Sequence, residues 1–140
     1  MKKNKTWFMI LKGIEPDYGA INLQMETFDD SLAALQKLVD GSIEHYVIDE
    51  DLNDNYIDMW INEEGKFRDD FKPMFGLFYN GKPYDVIVGP CVFTMYDREG
   101  NTHGLTDDAM RRVREFLYRC PMVELVTSDG KRFPCLRVDK

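Results

Sequence analysis

Two stretches of strict two-residue alternation constrain this chain more than anything else in it. Residues 20–27 put Ile21, Leu23 and Met25 on one side and Asn22, Gln24 and Glu26 on the other. Residues 56–62 set Ile57, Met59 and Ile61 against Tyr56, Asp58, Trp60 and Asn62. Side chains of a strand point alternately to its two faces, so this period marks half-buried β-strands. Residues 6–14 are β-branched and aromatic enough for a further strand, and Glu15-Pro16-Asp17-Tyr18-Gly19 turns the chain between it and residues 20–27. Residues 43–49 read as another strand. Residues 85–96, with Val86, Ile87, Val88, Val92 and Phe93, are the strongest candidate of all. Gly89-Pro90 inside that run predicts a bulge or an edge position, because proline cannot donate to a ladder. Residues 122–127 and 132–138 form a closing hairpin across Ser128-Asp129-Gly130-Lys131, where Asp-Gly suits a tight turn.

Only two stretches carry a helical stripe. Leu32, Leu35, Leu38 and Val39 recur at helical spacing after the capping candidates Asp29, Asp30 and Ser31, and Asp40-Gly41 ends the run. Thr106-Asp107-Asp108 opens the second, placing negative charge at the positive end of the helix dipole. Met110, Val113, Phe116 and Leu117 form its apolar side and Pro121 stops it. Residues 67–84 are the least regular part, aromatic but punctuated by Pro73, Gly76, Asn80-Gly81 and Pro83. The chain has 140 residues, which suits one domain over its whole length, with the hairpin at 122–138 closing it. The predicted class is α+β: a mostly antiparallel sheet of about six to eight strands, with two helices packed on one face.

Charge divides the chain. Residues 1–70 hold 7 basic and 16 acidic side chains, net −9, while residues 71–140 hold 11 and 9, net +2. The total of −7 opposes long-range attraction to a polyanion. The apolar run after the first lysines, residues 7–11, is too short for a secretory core, and nothing approaches a membrane span of about 20 residues. A cytoplasmic protein without membrane contact is the expectation. Cys91, Cys120 and Cys135 are widely spaced and His45 and His103 lie far apart, so no zinc spacing is present. Free thiols, no metal and no cofactor are expected.

The acidic run Asp49-Glu50-Asp51-Leu52-Asn53-Asp54-Asn55 offers oxygen ligands at alternate positions, as a calcium loop does. The required glycine is replaced by Asp54 and the closing glutamate by Trp60, so a solvated loop is the better reading. Carboxylate doublets at 63–64, 69–70 and 107–108 point apart rather than converging. No nucleophile elbow, zinc-protease motif or phosphate loop occurs. The functional expectation is therefore a non-enzymatic accessory protein that binds a protein partner. Its candidate surface combines the aromatic residues Phe71, Phe75 and Tyr79 with Asp51 and Asp54 of the acidic loop. The alternative is binding of nucleic acid or a small anionic ligand through the arginine-rich helix 107–119, with Arg111, Arg112, Arg114 and Arg119 as contacts.

Several short motifs run in order along the chain. They are Leu32-Ala33-Ala34-Leu35-Gln36-Lys37-Leu38-Val39-Asp40-Gly41-Ser42-Ile43-Glu44, then Asn62-Glu63-Glu64-Gly65-Lys66, Tyr84-Asp85-Val86-Ile87-Val88-Gly89 and Gly104-Leu105-Thr106-Asp107. In this respect the sequence resembles the bacterial and phage family called domain of unknown function 3846, over roughly residues 6–118. The resemblance implies a phage or mobile-element setting in gut-type bacteria, and brings neither an activity nor site residues. The sequence departs from the family pattern between Phe67 and Tyr84, where its own residues are aromatic, and the terminal hairpin lies beyond the resemblance.

Overall fold

The computed structural model describes residues 6–15, 20–28, 32–50, 56–97 and 99–139. In chain order its elements are β1 (Thr6–Glu15), β2 (Ala20–Phe28), α1 (Leu32–Val39), β3 (Ile43–Glu50), β4 (Tyr56–Asn62), a 3-10 turn (Gly65–Phe67), β5 (Pro73–Tyr79), β6 (Lys82–Val88), β7 (Cys91–Tyr96), β8 (Thr102–His103), α2 (Asp107–Arg119), β9 (Met122–Val126) and β10 (Arg132–Asp139). The class is α+β, and every strand pair but one is antiparallel.

The strands divide between two sheets. The first runs β2-β1-β7-β4-β3, with the short β8 beside β7; the second runs β6-β5-β10-β9. The parallel pair is β5 with β10. In β1, Met9 and Leu11 enter the large core while Phe8 and Ile10 enter a smaller one on the opposite side. Burial on both sides explains why this strand reads as a continuous apolar run and not as an alternation. The large core lies between the sheets and joins Ile57, Met59 and Phe93 of the first to Phe75, Leu77 and Leu136 of the second.

The two helices do not share a face, contrary to the sequence expectation. Leu35 and Val39 of α1 pack with Phe8, Ile10 and Val92, whereas Ala109, Met110, Val113 and Leu117 of α2 enter the large core. Strands buried on both sides carry no polar face from which to tell where each helix sits. The second helix begins as predicted, with the Thr106 hydroxyl oxygen accepting from the Ala109 N–H at 3.1 Å. At the end of α1, Asp40 takes the left-handed conformation (φ 59) ahead of Gly41. The proposed caps Asp29, Asp30 and Ser31 lie outside the described residues.

Two further expectations change. Residues 67–84 are not irregular: they supply most of the β5–β6 hairpin, turned by Asn80 and Gly81 at φ 50 and 77. Two consecutive positive φ values are what a tight hairpin turn requires. Residues 85–96 are not one bulged strand but two strands in different sheets, with Gly89-Pro90 as the crossing. Gly89 sits at φ +103, and a Cβ there would stand 2.6 Å from the Phe71 ring. Only glycine permits both the turn and the approach.

Candidate binding groove

The residues singled out from sequence separate in space. Phe75 is 1% exposed and belongs to the core, so it is removed from the candidate surface; β5 is an inner strand and its aromatic side chain fills the space between the sheets. Tyr79 is 58% exposed at the far end of β5. Asp51 and Asp54 lie outside the described residues. Phe71 is half-buried beneath Gly89, and the Arg68 guanidinium rests 4.3 Å from its ring centroid. Of the described members of the proposed partner-binding set, Phe71 borders a cleft that Phe75 and Tyr79 do not line.

The arginine helix is largely occupied with itself. Arg111 bridges Asp108 at 2.6 Å and Glu115 at 2.7 Å, at the spacing where helical side chains meet. Arg119 donates to the Glu115 carbonyl, and Arg114 reaches the Met25 sulfur across to β2. Arg112 is half-buried. These groups do not converge on a shared anion site.

The cleft beside Phe71 forms because the two sheets part there. Strand β7 pairs with β1 only at Met9, Ile10 and Leu11, and β10 joins β5 only from Leu136 onward. A register shift between Leu11 and Gly13 lets Lys12 bulge out of the ladder at the point of parting. The resulting groove has a volume of about 640 Å³ and is lined by residues of β1, β5 and β10, the segment leading into β5, and the Gly89-Pro90 crossing. That volume falls in the usual range of ligand clefts. Phe71, Pro73, Pro90, Phe133 and Pro134 give it stiff apolar walls.

Four charged side chains line it, and two are already partnered. Asp70 holds Arg68 at 2.7 Å, and this bond keeps the Asp70 carboxyl below its ordinary range. Arg132 meets Glu124 at 2.8 Å. Lys12 and Lys72 have no carboxylate partner among the described residues. Within a chain of net −7, the groove thus presents a local excess of positive charge.

The family model described as "Domain of unknown function (DUF3846)" matches residues 13–118. The chain belongs to the DUF3846 family. No curated protein and no solved structure matches it. In this DUF3846 chain the matched residues include Phe71, Lys72 and Gly89, whereas Lys12 and the wall formed by Arg132, Phe133 and Pro134 lie outside the match.

A second polar feature of the DUF3846 chain escaped the sequence reading. Asp58 is fully buried on the face of the first sheet that α1 partly covers. The Thr94 hydroxyl, directly opposite on β7, donates to its Oδ1. His45 Nε2 on β3 lies 2.8 Å from its Oδ2, and the Trp60 indole N–H donates to Thr94 Oγ1 at 2.8 Å. Burial pushes the Asp58 pKa up, while the Thr94 and His45 contacts pull it back only in part. The His45 ring packs on Trp60 at 4.6 Å and meets Tyr96, which stacks on Tyr56. The available signal was the setting of Asp58 between Tyr56 and Trp60, two large rings on what alternation marks as the wet side.

Among the described residues no three His, Cys, Asp or Glu side chains gather at a point suited to a metal ion. All three cysteines are free thiols; burial raises the pKa of Cys120 to about 11 and that of Cys91 further. Neither has the depressed pKa of a nucleophilic cysteine. No helix among the described residues is long and apolar enough to cross a membrane.

Proposed function

We propose that this DUF3846 protein is a non-catalytic accessory protein of a phage or mobile element, cytoplasmic, which works by holding a protein partner in the groove between its two sheets. The observation that carries the reading is the groove's composition: rigid apolar walls beside lysines that have no carboxylate partner among the described residues. Apolar surface with a few placed polar groups is the usual character of a binding cleft. The three free thiols agree with a reducing compartment. The alternative, an anionic or nucleic-acid ligand on α2, has less behind it, because Arg111 is bonded to two carboxylates of its own helix.

The test is an affinity capture from the native host at physiological salt, comparing the wild type with Phe71→Ala and Phe133→Ala. The two substitutions fall on separate segments that line the groove, and each variant is first checked for an unchanged melting profile. Loss of the same protein partner from both folded variants supports the reading. Retention by both removes the groove from consideration. Recovery of nucleic acid instead, abolished by Arg111→Ala/Arg114→Ala, transfers the function to α2.

A further inference from the structure

Resting on the groove reading above, we infer that the partner feature recognised there is an acidic segment carrying an apolar side chain, its carboxylates meeting Lys12 and Lys72 and its apolar group seated between Phe71 and Phe133. Charge carries the first half of this. Asp70 and Arg132, the other charges of the lining, are committed to Arg68 and Glu124, which leaves the two lysines as the lining cations without a carboxylate partner among the described residues. Both line the groove, Lys12 from the bulge in β1 and Lys72 from the segment entering β5. An incoming carboxylate gains from them, and an incoming cation meets like charge from both.

The walls carry the second half. Strand addition is the commonest way for a sheet to take up a peptide, and it needs free main-chain donors. Pro73 and Pro134 stand on the strand segments that border the groove and have no N–H to give. Recognition there falls to side chains, and the available side-chain surface is aromatic and prolyl. A polyanion is a poorer match: two lining cations without a carboxylate among the described residues, in a chain of net −7, supply little of the repeated phosphate neutralisation that nucleic-acid binding draws on.

The experiment is fluorescence anisotropy with short labelled peptides alternating glutamate with leucine, lysine with leucine, and glutamate with serine. A single-stranded oligonucleotide serves as a fourth probe, and inorganic phosphate is added as competitor. The expected result is binding of the glutamate–leucine peptide above the other three, weakened about tenfold by Lys12→Glu/Lys72→Glu and growing weaker as salt rises. The same double variant is expected to gain affinity for the lysine–leucine peptide. Equal or tighter binding of the lysine–leucine peptide by the wild type overturns the inference. So does preference for the oligonucleotide, or displacement of the peptide by phosphate at low concentration, which would mark a site for small anions. In capture of the natural partner, loss with Phe71→Ala but not with the charge reversal leaves the groove standing and refutes the acidic class. Loss with neither refutes the groove itself.

Discussion

The molecule handles its polar groups in two opposite ways, and the contrast separates what holds the fold from what is left for a partner. Around Asp58 the polar groups meet one another: the carboxylate meets Thr94 and His45, and Thr94 in turn accepts from Trp60. Among the described residues no buried side-chain nitrogen or oxygen lacks a partner. Such a network specifies which strands lie side by side, since Asp58, Thr94 and His45 come from three neighbouring strands. In the groove, Lys12 and Lys72 stand beside apolar walls and, among the described residues, bond to no carboxylate. Nothing in the fold needs those charges. A buried charge that is paired is costly to disturb, and an exposed one that is unpaired is nearly free to change.

The comparison breaks most visibly at Asp58. Asp58→Ala strands the Thr94 hydroxyl and the His45 ring without their acceptor, and is expected to cost about 3 kcal/mol in chemical denaturation. Asp58→Asn keeps an acceptor for Thr94 and offers an amide to His45, so at neutral pH it should cost far less. Its pH dependence follows from the raised pKa of Asp58. The folded protein holds this proton at pH values where the unfolded chain, titrating near 3.8, has released it. The stabilising contribution is therefore present below that value and lost as pH climbs through the raised one. The stability gap between wild type and Asp58→Asn should move in favour of the wild type on acidification. A gap that stays level as the pH is lowered toward the unfolded-chain value would show that Asp58 does not hold its proton in this way.

Gly89→Ala lies on the boundary between the two regimes. The new methyl group would meet the Phe71 ring at 2.6 Å from a backbone at φ +103, so both strain and a displaced groove wall follow. The expected loss is about 2 kcal/mol, accompanied by weaker partner capture. A variant that melts like the wild type would mean that Phe71 moves aside without cost. The smallest effect belongs to Lys12→Ala/Lys72→Ala, which should leave stability within about 0.5 kcal/mol while reducing capture. Melting and capture that fall together in this variant would erase the distinction between brace and groove.

Sequence legibility followed the number of faces buried. Strands β2 and β4, found from alternation, appear where period two placed them. Both helices and the closing hairpin were likewise read from stripes, caps and an Asp-Gly turn. Strands covered on both sides gave no such guide, and so the division into two sheets at Gly89-Pro90 and the opposite placement of the helices were hidden. The β5–β6 hairpin was obscured by its own aromatic residues, whose burial between the sheets is a tertiary fact. Phe71 was legible as an aromatic group in a segment bordering a cleft, but Phe75, four positions on, looked the same and is core. The pairing state of Lys12 and Lys72 was invisible, because it depends on where Asp70, Arg132 and their partners come to rest.

The place of β10 has a consequence in time. This strand follows every other described strand in the sequence, and so is made after them, yet it lies inside the second sheet between β5 and β9. During synthesis β5 therefore waits with one edge bare, and the Cys135 sulfur that ends up beside Gly76 has not yet arrived. Open strand edges of this kind are where nascent chains stick to one another. Arg132, Phe133 and Pro134 come with the same strand, so the groove acquires its second wall only when that strand docks. A nascent chain stalled before residue 132 would carry every described strand of the first sheet and still lack the wall formed by Arg132, Phe133 and Pro134. The groove is in this way complete only after β10 has been made and docked.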